Sequence, residues 1–134
     1  GKLYEKEYVP HSNDDSKIQA FIDDMATAYA AADVIVSRAG AGTLSELCLI
    51  GKAAILIPSP NVSEDHQTHN ARALSDNGAA ILIHERELAK RFEIELAALA
   101  KNKARRDRLG ENIKKLGRPC ATEDIVDHIT RLMK

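Results

Sequence analysis

The sequence predicts an α/β protein with a parallel sheet and flanking helices. Short β-branched apolar segments of strand length recur along the chain, helical patterns lie between them, and a glycine turn joins one strand to the next helix. Strands that alternate with helices at this spacing pair in parallel through right-handed crossovers. With 134 residues the chain has room for one domain with a real hydrophobic core, and not for two.

Composition narrows the class of protein. A net charge of −1 gives no global attraction to nucleic acid or membranes, and no apolar run approaches transmembrane length or resembles a signal peptide. Cys48 and Cys120 lie in no metal-binding spacing, and Cys48 falls on the apolar face of a helix, which favours a reduced, cytosolic setting. The chain begins at Gly1 without Met, partway into an α/β pattern, so we expect a fragment of a longer protein.

The first part of the chain gives the weaker signals. Residues 4–9 and 18–22 are strand candidates, separated by the turn-rich segment 11–16. Asp23 or Asp24 can cap the helix that follows, which has apolar positions at Met25, Ala28, Tyr29 and Ala32.

The central segment, residues 33–51, is predicted to form a strand, a glycine turn and a helix. Residues 33–37 have a β-branched apolar core of strand length, residues 38–42 form a small turn, and a helical pattern runs from Thr43 to a stop at Gly51. Such a unit places backbone N–H groups and a helix N-terminus where an anion can bind.

Two interpretations of the turn stay open. Gly40 and Gly42 let the backbone approach a ligand closely or adopt positive φ. Thr43 and Glu46 also fit a capping box, which satisfies N–H groups of the first helical turn without any ligand. From the residues alone, a phosphate site and a purely structural turn are about equally favoured.

Beyond Gly51 the sequence again predicts strands that alternate with helices. We predict a buried strand at 53–57, a loop at 61–65, a helix at 66–76 closed by Asn77 and Gly78, and a strand at 79–83. Residues 84–134 form a helical tail of the same domain. Its apolar positions are Leu88, Phe92, Leu96 and Leu99, then Leu109, Ile113 and Leu116, and finally, after a cap at Thr122, Ile125, Ile129 and Leu132.

Ligands of parallel α/β sheets bind beyond the carboxyl ends of the strands. The segments at these ends are residues 21–24, 37–43 and 58–67. We therefore expect the three to converge on one cleft.

Three ordered motifs carry a family resemblance: FIDDM at 21–25, ADVIVSRAGAGTLSE at 32–46 and DHQTHNA at 65–71. Together they closely resemble the C-terminal domain of the MurG family, the UDP-GlcNAc transferases that convert lipid I to lipid II in bacterial peptidoglycan synthesis. The resemblance runs from about residue 18 to 83, and the helical tail is compatible with it.

The resemblance implies a Rossmann-like sheet that is part of the C-terminal domain of a GT-B glycosyltransferase. It implies UDP-GlcNAc as donor, no cofactor, and undecaprenyl-diphosphate-MurNAc-pentapeptide as acceptor, bound through an N-terminal domain that this chain lacks. It also implies a peripheral position on the cytoplasmic face of the inner membrane and no nucleic acid partner. The family's proposed general base lies in the missing domain, so we assign no catalytic residue and expect the fragment to be inactive alone.

Family roles carry over to matching positions. The loop of Phe21, Ile22 and Met25 would contact uracil, with hydrogen bonds from the Ile22 backbone, and Glu46 would accept hydrogen bonds from the ribose. The turn and helix start would face the diphosphate, through Gly40, Ala41, Gly42 and Thr43.

The sugar and the charge balance involve three more residues. Gln67, with His66 beside it, would hydrogen-bond the GlcNAc hydroxyls. Arg38 either adds fixed positive charge or pairs with a structural carboxylate.

Two further patterns have simpler explanations. His66 and His69 beside Asp65 have weak metal spacing and no evident fourth ligand, so we predict no metal site. The basic segment 101–118 fits contact with anionic lipid, but without interleaved aromatic residues a solvated helix face is favoured.

Two rival functions remain. One is the MurG-like catalytic subunit of a two-chain dolichol-linked GlcNAc transferase. The other is a non-catalytic nucleotide-sugar-binding module.

Overall fold

The structure is a computed structural model that describes residues 7–60 and 65–133. The chain divides into two compact units, Gly1–Ala32 and Asp33–Lys134, which are described in turn.

The α-helix α1 (Met25–Ala31) belongs to the first unit. Asp24 is its N-cap: its carboxylate accepts hydrogen bonds from the Thr27 hydroxyl at 2.6 Å and the Thr27 N–H at 3.0 Å. These bonds, the one from the hydroxyl foremost, lower the pKa of Asp24. The predicted cap is confirmed, with Asp24 rather than Asp23 in that position.

Both strand candidates of this unit are wrong where the structure describes them. Residues 4–6 lie outside the described residues, and Val9–His11 forms a 3₁₀ turn in which Pro10 fixes φ. Residues 18–22 form no strand, because the Ile18 N–H donates to the Ser12 hydroxyl at 3.0 Å instead of to a partner strand.

The second unit is built on a parallel sheet. Its strands β1 (Val34–Ser37), β2 (Ala53–Leu56) and β3 (Ile81–Leu82) lie in that order, with Val34 opposite Ala53 and Ile55 opposite Ile81. This confirms the predicted α/β fold. β3 is shorter than predicted, because the Ala79 N–H bonds back to the Leu74 carbonyl at the end of the preceding helix.

The described part of the second unit also contains five α-helices: α2 (Ala41–Ile50), α3 (His66–Asp76), α4 (Leu88–Lys101), α5 (Lys103–Lys115) and α6 (Ala121–Leu132). α2 ends at Gly51 and α3 is followed by Gly78, with φ of 70° and 61°, so both predicted stops are confirmed.

Two predicted caps are wrong. The N-cap of α2 is Gly40 and not Thr43, because the Leu44 N–H already bonds to the Gly40 carbonyl at 3.0 Å. The N-cap of α6 is Cys120 and not Thr122, and it makes no side-chain capping bond.

The hydrophobic core lies on both faces of β2. Ala53 and Ile55 pack into a cluster with Leu99 of α4 and Leu109 of α5, while Leu56, on the opposite face, is also fully buried. Gly110 allows α5 to approach the end of α2 closely: an added Cβ would lie 2.4 Å from the Gly51 carbonyl oxygen.

Two features lie at the margins of this core. Cys48 of α2 is buried as predicted, and burial raises the pKa of its thiol. α6 buries none of its side chains and leaves its apolar positions exposed: Ile125, Val126, Ile129 and Leu132. Among the helices that the structure describes, none combines the length and apolar character needed to cross a membrane.

Candidate functional site at the start of helix α2

The glycine turn lies at the carboxyl end of β1. β1 ends at Ser37 and α2 begins at Ala41, with Gly40 in extended conformation as its N-cap and no side chain capping the helix. The N–H groups of Ala41, Gly42 and Thr43 donate to no residue that the structure describes. This helix start therefore offers free donors and the positive end of the helix dipole.

The two glycines of the turn are not required by packing. A Cβ added at Gly40 or Gly42 would meet no described atom within 4 Å, and neither residue has positive φ. The sequence analysis gave two reasons for glycine at these positions, close approach of a ligand and positive φ. The second is therefore wrong. Open space above both residues fits close approach of a ligand to the backbone.

Side chains of α3 hold the turn in place. Gln67 Oε1 accepts from the Ala39 N–H at 3.3 Å and from the Ser59 N–H at 2.9 Å. One turn further along α3, Asn70 Nδ2 donates to the Ala39 carbonyl at 3.3 Å. The Ala39 peptide is thereby fixed from both sides, and Ala39 is fully buried.

These bonds also bring two loops together. Gln67 joins the turn after β1 to the loop after β2, through Ala39 and Ser59. The expected convergence of residues 37–43 and 58–67 is confirmed for the described residues. For residues 21–24, which belong to the other unit, it stays a prediction.

Arg38 pairs with a carboxylate. Its guanidinium lies 2.6 Å from Glu85 Oε1 and donates to the carbonyls of Ile57 and Pro58, each at 3.3 Å. Both side chains of the pair are substantially exposed, so the pair contributes at most about 1 kcal/mol. Arg38 therefore braces the loop after β2, and Glu85 offsets its charge.

The other candidate residues are exposed. Glu46 lies in the middle of α2, and His66 is the first residue of α3. In the first unit, Phe21, Ile22 and Met25 are 63%, 45% and 39% exposed, which leaves them available to a ligand.

Two further groups of residues from the sequence analysis can be located in the structure. Within residues 7–60 and 65–133, no group of three or more His, Cys, Asp or Glu side chains is arranged to hold a metal. In the basic segment, Lys103 pairs with Asp107, Arg105 pairs with Glu95, and Arg106 donates to the last carbonyls of α4. Several cations of the basic segment therefore already have ion-pair or hydrogen-bond partners within the fold.

Sequence reasoning missed two residues of this site. Asn70 lies three positions after Gln67, and this spacing on a helix places both on one face, so a local signal was present. Glu85 is separated from Arg38 by 47 positions, and no local pattern connects them.

A parallel α/β sheet with an open glycine turn before a helix at its carboxyl edge is the arrangement typical of nucleotide-binding domains. The chain belongs to the family of glycosyltransferase family 28 C-terminal domains, whose model matches residues 2–129. The family resemblance seen in the motifs is therefore confirmed.

Named relatives agree with this assignment. The chain is 50% identical over 133 residues to a protein of Christiangramia forsetii and 47% identical over 135 residues to one of Flavobacterium psychrophilum. Both are named UDP-N-acetylglucosamine--N-acetylmuramyl-(pentapeptide) pyrophosphoryl-undecaprenol N-acetylglucosamine transferase. The matches cover 99% and 100% of this chain but only 36% and 37% of the relatives.

A solved structure is also similar. The crystal structure of Acinetobacter baumannii MurG superposes with a TM-score of 0.78 at 35% identity, covering 86% of this chain and 33% of that one. The chain thus spans about a third of the length of the proteins it resembles.

Proposed function

We propose that this chain is the donor-binding part of an inverting glycosyltransferase that transfers GlcNAc from UDP-GlcNAc to lipid I, giving lipid II. The observation that carries the proposal is the helix start at Ala41, with free N–H groups, open glycines and a turn fixed by Gln67 and Asn70. The names of the relatives supply the two substrates, and they favour this function over the dolichol-linked alternative.

The chemistry matches this geometry. When the sugar leaves a UDP-sugar, negative charge grows on the diphosphate, and fixed donors at a helix N-terminus stabilise it without a metal or other cofactor. The N–H groups of Ala41, Gly42 and Thr43 are placed for this role. Since Gln67 and Asn70 fix the preceding peptide, these donors need little rearrangement when the ligand binds.

Other residues bind the ribose, the sugar and the uracil of the donor. Glu46, one helical turn beyond Gly42, accepts from the ribose hydroxyls rather than facing the phosphates, which would repel its carboxylate. Gln67, whose Nε2 has no partner among the described residues, donates to a GlcNAc hydroxyl with His66 beside it. The exposed Phe21, Ile22 and Met25 of the first unit receive the uracil.

The reaction needs parts that lie outside this chain. The acceptor and the general base belong to the missing portion of the enzyme, which also makes most contacts with the cytoplasmic face of the inner membrane. The chain alone binds donor and does not turn over.

Calorimetric titration with UDP-GlcNAc, UDP-GalNAc and UDP tests the proposal. We expect saturable binding that prefers GlcNAc. Glu46→Ala removes a charged acceptor worth roughly 1.5–3 kcal/mol, so all three affinities fall about tenfold or more.

Glu111→Ala is the matched control, because Glu111 is an exposed glutamate on α5, and it is expected to bind as wild type. Equal affinities in wild type and Glu46→Ala, with both folded by circular dichroism, would exclude the ribose role. A folded wild-type chain that binds none of the three nucleotides would contradict the donor site itself.

A further inference from the structure

The side chain of Arg38 links β1, β2 and β3 beyond their carboxyl ends. Arg38 directly follows β1, and its Nη1 donates at 3.3 Å to the carbonyls of Ile57 and Pro58, which follow β2. Its Nη2 lies 2.6 Å from Oε1 of Glu85, in the segment after β3. A short charge-assisted bond is stronger than longer bonds to neutral carbonyls, so Glu85 is the principal anchor of the guanidinium.

The backbone that carries Glu85 is itself held in place. Glu85–Glu87 forms a 3₁₀ turn with a reciprocal cap: the His84 side chain accepts from the Glu87 N–H, and the Glu87 carboxylate accepts from the His84 N–H at 3.3 Å. Arg91 Nη1, on the first turn of α4, lies 3.3 Å from the same carboxylate oxygen. Glu85 therefore contacts Arg38 from a fixed position.

The contact reaches Gln67 through a single peptide unit. The Pro58 carbonyl and the Ser59 N–H belong to one trans peptide, and because that unit is planar, holding its carbonyl fixes the direction of its N–H. The Ser59 N–H donates to Gln67 Oε1 at 2.9 Å, a shorter bond than the 3.3 Å one from the Ala39 N–H. Arg38 thus sets the shorter of these two bonds to the Gln67 amide.

We propose that Glu85 is a positioning residue for the donor sugar, which acts through Arg38 and the Pro58–Ser59 peptide on Gln67. The inference rests on the proposed function, in which Gln67 Nε2 donates to a GlcNAc hydroxyl. The side chains of Arg38 and Glu85 are 52% and 38% exposed, so their pair adds little to stability. Its effect is on direction, because a hydrogen bond weakens steeply as its angle closes.

The ratio of UDP-GlcNAc to UDP affinity, measured by calorimetric titration, tests this role. Glu85→Ala removes the anchor of the guanidinium, and we expect the ratio to fall about threefold or more, as for the loss of one hydrogen bond. Glu85→Gln removes the same charge but keeps an oxygen that accepts from Arg38. Its ratio is expected to stay within about 1.5-fold of wild type.

Asp107→Ala is the matched control for the loss of an exposed ion pair. Asp107 lies 2.7 Å from Lys103 on α5, beside Asp33 and Lys52 at the amino ends of β1 and β2. Its removal is expected to leave the ratio at the wild-type value.

Amide NMR of the ligand-free variants tests the position of the peptide separately from binding. In Glu85→Ala we expect the resonances of the Ser59 N–H and the Gln67 side-chain amide to move, and the Ser59 amide to exchange faster with solvent. In Glu85→Gln and Asp107→Ala both resonances are expected to stay close to their wild-type positions.

Two results overturn the role of Glu85. One is a wild-type ratio in a folded Glu85→Ala variant. The other is an equal fall in Glu85→Ala and Glu85→Gln, since that would come from the lost charge alone.

Failure of the donor site itself gives a different result. A wild-type chain that binds neither nucleotide rejects that site and the role of Glu85 in sugar preference. In that case, displaced Ser59 and Gln67 amides in Glu85→Ala would still support the positioning of Gln67 by Glu85, and unmoved amides would overturn it.

Discussion

At the scale of single residues, Gln67 shows how one side chain can serve both fold and function. Its Oε1 accepts two backbone N–H groups and so joins two loops, while its Nε2 has no partner among the described residues. The sequence motif indicated a sugar contact but gave no sign of the structural role. The two roles use different atoms, so they can be separated by substitution.

Gln67→Glu keeps an oxygen for the Ala39 and Ser59 N–H groups but removes the amide donor. We expect a fold of wild-type stability and a reduced ratio of UDP-GlcNAc to UDP affinity, by several-fold, because the sugar loses one hydrogen bond. Expressing the result as a ratio cancels any repulsion between the new charge and the diphosphate, which both ligands share.

Gln67→Ala is the companion variant. It removes both atoms, so we expect it to lower the melting temperature and the affinity for UDP as well as the ratio. An unchanged ratio in Gln67→Glu would show that Gln67 has only its structural role.

At the scale of elements, the helices were predicted more accurately than their caps. The helix at His66–Asp76 was predicted with its observed bounds, because its apolar spacing and the Asn77-Gly78 stop both lie in local sequence. α2 begins two residues earlier than predicted. Thr43 and Glu46 match a capping box, but a glycine N-cap followed by small residues let the helix start before them.

The strands show that a local apolar pattern is not enough to predict which segments pair in a sheet. Residues 53–57 and 18–22 are both mainly apolar segments of strand length, yet of these two only the former pairs, as β2. A strand needs a partner, and in the first unit the Ile18 N–H finds a serine hydroxyl instead. Partner availability depends on the tertiary fold and cannot be predicted from the run itself.

The last two helices differ in what they bury, and this gives a prediction of stability. Ile113 of α5 is fully buried, while Ile129 of α6 is 51% exposed. Ile113→Ala leaves a cavity and should cost about 2–5 kcal/mol of unfolding free energy, whereas Ile129→Ala should change it by less than about 0.5 kcal/mol. Urea denaturation of both variants measures this, and equal losses would contradict the burial of α5.

At the scale of the whole molecule, the alternation of elements was enough to predict a parallel sheet with its ligand-binding edge. It was not enough to predict the contacts that join distant segments, such as Arg38 with Glu85 or Asn70 with Ala39. Those contacts form only after the sheet has placed the loops side by side. They decide that the glycine turn is rigid, on which the proposed donor site depends.

The central claim is that the N–H groups at the start of α2 bind the donor diphosphate. Amide NMR of the ¹⁵N-labelled chain during titration with UDP-GlcNAc tests it most directly, with uridine as the phosphate-free control. We predict the largest shifts at Gly40, Ala41, Gly42, Thr43 and the Gln67 side-chain amide, and little change at the four backbone positions with uridine. Shifts confined to other residues, with these amides unmoved at saturation, would contradict the account.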